Sequence, residues 1–348
     1  MERRIDWIDC TKGIAILLTI IGHSVYYGRY GSTLRGMIFS FHMPLFFILS
    51  CLTYRCSNDM SEFRKKMIKG MCHLLSPAII TFAIMILYQC VIDTSLITNW
   101  VYWKGKIYTL IFASGVNTTI NEFEVNAIGI PWFFFALFIG RSIFDLLHQK
   151  FRDSYALLAI CCMVGMIGII FGRIQWLPFS MDIALAILPF FYFGNWLKGK
   201  TMSEHSLRDL LVYGIVWICT LYLTFPDYNT WSYLELAARR YTLFPICYIA
   251  AIAGTMFICT FSVMLCKLKK FSNPLLYIGK NSLYLLCVHT LDIIYCVLWS
   301  VEGQQFYTAL RRTVVDLIVF VVFMVVKAWF EKLILKKRLD KRNPKSLK

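Results

Sequence analysis

The first apolar segment of the chain, residues 10–28, reads CTKGIAILLTIIGHSVYYG and carries two chemically distinctive side chains, Lys12 and His23. Eleven residues at 100° each make three turns plus about 20°, so both side chains are expected on one helix face, about 16 Å apart along the axis. A cation and an imidazole are costly to place in a bilayer segment, which makes a function the default hypothesis for them. A snorkelling lysine and a hydrogen-bonded histidine are the structural alternative.

The composition of the whole chain is that of a membrane protein. Hydrophobic residues make up 58% of the 348 residues and aromatic residues 16%, and the mean hydropathy is +0.61. A soluble domain cannot place so much apolar surface against water. We therefore expect an all-α, polytopic integral membrane bundle of about ten transmembrane helices. The predicted spans lie at about 10–28, 36–54, 72–95, 131–147, 155–172, 180–197, 209–225, 242–265, 277–299 and 313–334.

The basic residues alternate between rich and poor loops along the chain. Because basic loops stay on the cytoplasmic side, both termini are predicted to be cytoplasmic, with a transmembrane domain at 1–335 and a basic tail at 336–348. These loops also meet anionic lipid headgroups, so the formal net charge of +16 requires no nucleic-acid partner. The poorly basic loops, assigned to the outer side, hold Arg29, Arg35, Lys104, Lys106, Arg173, Arg239, Arg240, Arg311 and Arg312.

The second predicted span carries FHMPLFFILS at 41–50. Since this span runs antiparallel to the first, His42 is expected at the same depth as His23, near the outer surface. Pro44 frees a backbone carbonyl nearby, which lipid tolerates only where protein or water satisfies it. The two histidines are therefore predicted to share one polar site.

Thirteen cysteines are scattered through the chain, and most fall within predicted spans. None has the paired spacing of a zinc site. We interpret them as small apolar packing residues and predict no metal site.

Candidate carbohydrate-binding groups surround the longest predicted outer loop, about residues 96–130. The loop contains aromatic and polar side chains, including Glu122, and Trp132 follows it. Sugars stack on aromatic rings and hydrogen-bond to carboxylates, although an interfacial aromatic belt has the same composition and is the commoner explanation. Asp182, just inside the sixth span, must pair with a cation or face a cavity. We predict Trp132, Asp182 and Glu122 as acceptor-binding residues.

Taken together, these motifs resemble the acyltransferase 3 family of bacterial integral membrane O-acyltransferases, in its fucose 4-O-acetylase-like branch. The resemblance covers nearly the whole chain. Its most specific part is a basic residue, ten intervening residues and a histidine, formed here by Lys12 and His23, with lysine where arginine is commoner. The other matching stretches are RIDWID at 4–9, FHMPLFF at 41–47, PWFF at 131–134, GN at 194–195 and GKNSLY at 279–284, which leads to His289.

The resemblance implies a ten-span enzyme of the bacterial cytoplasmic membrane. Such an enzyme takes an acyl group, usually acetyl, from cytoplasmic acetyl-CoA. It delivers the group to a hydroxyl of a surface glycan or lipid-linked saccharide. Cations on the cytoplasmic side are expected to hold the phosphates of the donor, because charge-assisted contacts to phosphate are strong. The predicted donor-binding residues are Lys12, Arg64, Lys66 and Lys69.

At the other end of the first span, His23 is expected to act as general base on the acceptor hydroxyl, since imidazole basicity suits that task near neutral pH. An acetyl-imidazole intermediate on His23 is an open variant. His42 is expected to stabilise the oxyanion or to orient the acceptor, with a structural hydrogen bond as the alternative. His289 and Asp292, one turn apart in the ninth span, are further candidates for lining the donor passage.

Two other functions fit a ten-span protein with buried charges. A secondary transporter or flippase for a lipid-linked sugar would use buried acids and histidines for alternating access. Such folds usually repeat broken helices in matching halves, whereas the distinctive residues here concentrate in the first two spans, which favours the enzyme. The second alternative is a membrane scaffold, which would tolerate substitution of Lys12 and His23.

Overall fold

The computed structural model describes residues 5–25, 28–120, 122–200, 202, 206–224 and 233–342. Arg4 of the first motif and residues 343–348 of the predicted basic tail lie outside the described residues. The described part of the chain is almost entirely α-helical, as predicted. Its helices are α1 (Asp6–Ser24), α2 (Gly28–Thr53), α3 (Met60–Gly70), α4 (Ser76–Ile92), α5 (Trp100–Phe112), α6 (Trp132–Phe151), α7 (Tyr155–Ile174), α8 (Met181–Ala186), α9 (Leu188–Trp196), α10 (Leu207–Leu223), α11 (Ile246–Leu265), α12 (Lys269–Lys280), α13 (Ser282–Leu291) and α14 (Gln305–Arg342).

The membrane character of the chain is visible in these helices. Among the described residues, five are long and apolar enough to cross a bilayer, and a sixth span is added if the bent pair α12–α13 counts as one. The predicted count of ten spans and the predicted orientation of the termini therefore stay predictions. The five helical spans are Tyr30–Thr53, Met60–Ile92, Tyr155–Ile174, Ile246–Leu265 and Gln305–Leu333.

The outward faces of these spans are apolar. Large side chains such as Leu87 on α4, Ile174 on α7 and Val325 on α14 are each more than 60% exposed. A continuous apolar surface of this kind is unfavourable in water and suits hydrocarbon. The helix faces support a multi-pass membrane protein.

Helix α1 lies at the centre of the bundle and contacts α2, α11, α12, α13 and α14. Small residues let its neighbours approach closely, as is usual between membrane helices. A side chain added at Gly13 would overlap the carbonyl of Leu275 on α12, and one added at Gly279 would overlap the carbonyl of Asp9. The glycines of the Lys12–Gly13 and Gly279–Lys280 motifs are thus the contact between α1 and α12.

Two regions depart from the predicted segments. The predicted loop at 96–130 holds α5 and a short antiparallel hairpin of β1 (Thr118–Ile120) and β2 (Phe123–Val125). The predicted ninth span is broken, because α12 and the helical stretch from Ser282 to Leu298 meet at a bend of 70°. That bend places Lys280 beside α1 and leaves His289 deeper in the bundle.

Two arginines that the sequence assigns to outer loops are partners of acids inside the bundle. Arg239 is 5% exposed and forms an ion pair with Asp182, and Arg312 on α14 forms one with Asp292. Burying an unpaired carboxylate is costly, so each acid is stabilised by its own guanidinium. Both arginines, which the sequence counts among the cations of the outer loops, are thus bound to buried acids.

Candidate functional site

Two cavities flank α1 along its length. The first, which we call the lysine cavity, has a volume of about 340 Å³ and is lined by Lys12, Arg141 and Lys280 among other residues. The second, the histidine cavity, has a volume of about 50 Å³ and is lined by His23 and His42 among others. The two residues that the sequence places on one face of α1 therefore each line a cavity.

Three permanent cations from three different helices converge on the lysine cavity. Lys12 comes from α1, Arg141 from α6 and Lys280 from the end of α12, while Asp9 is the one acid among the described residues that line the cavity. The resulting excess of positive charge suits an anionic ligand, and guanidinium and ammonium groups are the usual partners of phosphate. The charge of this cavity is that expected of a site for an anionic ligand.

The packing around the lysine cavity explains how Arg141 is held there. Its guanidinium lies over the ring of Tyr54, 4.7 Å from the ring centre. The hydroxyl of Tyr54 donates a 2.6 Å hydrogen bond to Asp145, which also accepts from the backbone and the hydroxyl of Ser57. A buried carboxylate with three donors is a rigid anchor. The end of α2 and the middle of α6 are thereby fixed around the cavity.

The two histidines of the histidine cavity lie on either side of one aromatic ring. The ring centre of Phe39 is 5.1 Å from that of His23 and 4.5 Å from that of His42. Nδ1 of His42 donates to the carbonyl of Ile38 at 3.2 Å, because a carbonyl can only accept. In its neutral form His42 therefore keeps Nε2 as an acceptor.

A short segment, Tyr233–Ala237, covers part of the histidine cavity, to which Leu234, Glu235, Leu236 and Ala237 contribute lining. Glu235 lies 3.8 Å from Arg35 on α2 and 3.7 Å from Arg240. Nε of Arg35 donates to the hydroxyl of Tyr233 at 3.2 Å. Burial, together with the nearby Glu235 carboxylate, raises the pKa of Tyr233, so its phenol is neutral near pH 7. This segment is the cover of the cavity and supplies its carboxylate.

The two cavities adjoin each other. Phe46, Phe133 and Leu286 line both cavities, so these apolar side chains lie where the lysine cavity meets the histidine cavity. We call these three residues the constriction. The two cavities therefore adjoin each other beside α1, one at Lys12 and the other at His23.

The other cations predicted to bind the donor lie on α3, away from the lysine cavity. Arg64 and Lys69 are exposed, and Lys66 contacts Glu62 at 2.8 Å and donates to the carbonyl of Arg55. The end of α3 nevertheless adjoins the cavity, because a side chain added at Gly70 would lie 3.2 Å from the guanidinium of Arg141. Of the four predicted donor ligands, only Lys12 lines the cavity itself.

The three predicted acceptor-binding residues are found in three different places. Trp132 lines the histidine cavity. Glu122 is exposed at the turn of the β-hairpin, with a positive φ of 67°. Asp182 is fully buried, and both its oxygens accept hydrogen bonds from Arg239, at 2.8 and 3.2 Å. Arg239 in turn donates to the carbonyl of Ala237 at 2.9 Å, so Asp182 supports the cover of the cavity from behind.

Sequence reasoning missed Arg141, Lys280 and Glu235 as site residues. A signal for the two cations was available, because a charge inside a predicted span is itself a functional hypothesis. Glu235 lies in a segment whose sequence carries no such signal. The further candidates His289 and Asp292 line neither cavity and belong to a buried cluster next to His23.

Comparison with known proteins gives one match. A family model described as an acyltransferase domain matches residues 5–331, nearly the whole chain. No curated protein and no solved structure matches the chain.

Proposed function

The chain belongs to the acyltransferase 3 family and is an acyltransferase, and from this premise we propose that it moves an acetyl group from acetyl-CoA to a hydroxyl of a cell-surface glycan or lipid-linked saccharide. The observation that carries the proposal is the pair of adjoining cavities on α1, one lined by Lys12 and the other by His23. A reaction that joins a charged donor to a neutral hydroxyl needs two such environments. The fucose 4-O-acetylase-like branch of the family is part of the proposal.

The lysine cavity is the proposed site of the donor's phosphates. Lys12, Arg141 and Lys280 surround it, and each ammonium or guanidinium contact to a phosphate oxygen is a charge-assisted hydrogen bond. The exposed cations Arg64 and Lys69 on the adjoining α3 are proposed to attract the anionic donor before it binds. If the cavity cations bind the donor and the α3 cations only attract it, α3 can be basic and still lie outside the cavity.

The constriction is the proposed path of the thioester. The separation of Lys12 and His23 along a helix, about 16 Å, is a distance that an extended pantetheine arm can largely cover. Phe46, Phe133 and Leu286 would pack around that slender arm and exclude water from the thioester. The donor would thus be held at one end and react at the other.

His23 is the proposed general base of the histidine cavity. It would take the proton of the acceptor hydroxyl as the oxygen attacks the thioester carbonyl, and return that proton to the leaving thiolate. In neutral His42 the Nδ1 proton is donated to the carbonyl of Ile38, which leaves Nε2 as a hydrogen-bond acceptor. We propose that the hydroxyl of the sugar donates to this Nε2 and is oriented by it. This favours the orienting role of His42 over oxyanion stabilisation.

The size of the histidine cavity supports acetyl as the transferred group. About 50 Å³ has room for a group of a few atoms and not for a hexose. The acetyl end of the donor is therefore proposed to lie inside, while the sugar approaches from the side of the cover, where Trp132 and Glu235 line the cavity. Glu122 and Asp182 stay predictions as acceptor ligands.

The membrane topology completes the proposal. With ten spans and both termini in the cytoplasm, the lysine cavity would open toward the cytoplasm, where acetyl-CoA is made, and the histidine cavity toward the cell surface. Basic loops next to the spans support this orientation. The bacterial cytoplasmic membrane is the proposed location.

The proposal is tested with membrane vesicles that contain the protein and acetyl-CoA labelled in its acetyl group. We expect label in envelope glycan with the wild-type chain and none with His23→Ala, at equal amounts of inserted protein. His148→Ala is the matched control, because His148 lies outside both cavities and pairs with Asp153 at 3.1 Å; it should keep the wild-type rate.

Two results would overturn the proposal. Movement of a saccharide across the vesicle membrane without labelling would indicate the transporter or flippase. Wild-type labelling by His23→Ala would show that His23 is not the base.

A further inference from the structure

Behind His23 lies a buried ionic cluster that the proposed reaction, as described so far, does not use. Nδ1 of His289 is 2.8 Å from Asp292 and 2.9 Å from Asp316. Arg312 donates two hydrogen bonds to Asp292, at 2.6 and 2.9 Å, and the hydroxyl of Tyr295 donates to Asp316 at 3.0 Å. His289, Asp292 and Asp316 are each at most 2% exposed.

The hydrogen bonds of the cluster determine that Nδ1 of His289 carries a proton. Ionised carboxylates only accept, so Nδ1 of His289 carries a proton and its Nε2 is the acceptor of the neutral ring. Within the described part of the chain, Nε2 is buried and has no hydrogen-bond partner. A buried acceptor without a partner is rare in folded proteins and calls for an explanation.

The neighbouring polar ring is that of His23. The ring centres of His23 and His289 are 5.5 Å apart, at an angle of 51°. Arg312 ties the cluster to the same end of α1, because its Nη1 donates to the carbonyl of His23 and to the hydroxyl of Ser24, both at 3.3 Å. The cluster therefore contacts His23, the proposed general base.

The charge of the cluster complements the reaction. Two carboxylates and one guanidinium leave one surplus negative charge among buried groups. When His23 takes a proton it becomes an imidazolium, close to the guanidinium groups of Arg35 on α2 and Arg312 on α14. Such a positive charge in a dry site needs a counter-charge nearby. Asp316, whose partners are Nδ1 of His289 and the hydroxyl of Tyr295, is the carboxylate that supplies it.

We propose that His289 is a positioning residue for His23 and that Asp316 acts through it, an inference that rests on the proposed function. One ring nitrogen of His23 donates to Nε2 of His289, so that the other faces the acceptor hydroxyl as a base. The hydroxyl proton moves to His23, the oxygen bonds to the acyl carbon, the carbon–sulfur bond breaks and the thiolate takes the proton back. His289 and Asp316 neither gain nor lose a proton over the cycle.

The same three residues bring ligand atoms to within 4.8 Å of one another, as a metal site would. The groups satisfy each other, however, because Arg312 occupies both oxygens of Asp292 and the Nδ1 proton of His289 points to the carboxylates. A cation would have to displace these contacts. We therefore infer a chain of hydrogen bonds from Asp316 through His289 to His23, which we call the relay although no proton passes along it. Dependence of transfer on a metal is one of the outcomes of the test.

The first measurement is transfer kinetics of Asp316→Asn in the labelled vesicle assay. We expect kcat to fall roughly 10- to 100-fold, less than the 10²–10⁴-fold that a general base typically contributes, with KM for acetyl-CoA unchanged. The matched control is Tyr295→Phe, which removes one hydrogen bond to Asp316 and keeps its charge; it should retain kcat within about threefold.

The second measurement does not depend on transfer. Diethyl pyrocarbonate modifies only the neutral imidazole, so the pH dependence of His23 modification, read by peptide mass spectrometry, reports its protonation. Loss of the Asp316 charge should lower the pH at which His23 is half protonated. The other charged or titratable groups around His23 are the same in the variant and the wild type: Arg35 and His42 on α2, His289 on α13 and Arg312 on α14. A merely structural role of Asp316 would lower the yield of folded protein and leave this titration where it is.

The outcomes separate the two proposals. If Asp316→Asn shifts the His23 titration but the wild-type chain transfers no acetyl group, the relay stands and the proposed function fails. If transfer occurs and the variant changes neither kcat nor the titration, the relay is wrong. Loss of wild-type transfer on chelation, with recovery on adding a divalent cation, would also overturn it and assign the cluster to a metal.

Discussion

Lys12 and His23 lie on the same helix, α1, yet each lines a different cavity, and three apolar side chains line both cavities. This relationship gives the chain two chemical environments on one rigid element. Because a helix keeps a fixed rise per residue, the distance between the cation and the imidazole is set by the backbone. The predictions below test what each part of this arrangement contributes.

The constriction is tested by filling it. Leu286→Trp adds bulk to a side chain that lines both cavities. We therefore expect acetyl transfer to fall at least 10-fold, while acetyl-CoA still binds in the lysine cavity. Labelled transfer and binding of acetyl-CoA are measured on the same vesicles. Ile293→Trp, at a position 47% exposed on the outside of the bundle, is the control and should behave as wild type.

The cations of the lysine cavity are tested by truncation. Lys12→Ala and Arg141→Ala each remove a charge-assisted contact to phosphate, for which a loss of about 1.5–3 kcal/mol corresponds to roughly 10- to 100-fold in KM for acetyl-CoA. Lys12→Arg keeps the charge and should keep activity. Lys65→Ala removes an exposed cation from α3 and should change KM little. An unchanged KM in both cavity variants would refute the phosphate role.

The ion pair of Asp182 and Arg239 is tested by its effect on stability. Asp182→Ala leaves a buried guanidinium without its carboxylate, which costs about 3–5 kcal/mol in comparable sites, so the Tm in detergent should drop clearly. Glu302→Ala, at an exposed acid, should leave the Tm unchanged. A variant of Asp182 with wild-type Tm but a raised requirement for acceptor would instead favour the predicted role in acceptor binding.

The contact between α1 and α12 is tested with two glycines. Gly279→Ala places a methyl group on the backbone of Asp9, so the helices must separate; we expect a loss of about 1–3 kcal/mol and a raised KM for acetyl-CoA, because Lys280 moves with α12. Gly105→Ala on α5 meets nothing within 4 Å and should be neutral or slightly stabilising. Equal behaviour of the two variants in thermal unfolding would contradict this account.

Part of the site follows directly from the sequence. The shared face of Lys12 and His23 depends only on helix geometry, and the structure places both in cavities. Which other cations reach a cavity depends on packing between distant segments. Arg141, Lys280 and Lys327 all fall inside predicted spans, yet Lys327 pairs with Glu331 at 2.8 Å in an i,i+4 contact on the exterior. A charge within a predicted span therefore marks a candidate site residue, but the sequence does not show which of these charges lines a cavity.

The ion pairs show a second limit. Arg239 is 57 positions from Asp182, and Arg312 is 20 positions from Asp292. A buried acid demands a cation, but nothing in the local pattern names the partner across such separations. Counting charges by loop assigned both arginines to the outer side, and that rule carries no information about the acids with which they pair.

The constriction also bears on the energy supply of the cell that carries this protein. A water-filled path joining two sides of a membrane would let protons and salts leak and would run down the transmembrane potential. Phe46, Phe133 and Leu286 are apolar and line both cavities, and a hydrophobic constriction at such a place would stop ions without a moving gate. We therefore expect the same three side chains that would guide a thioester to act also as the electrical seal of the bundle.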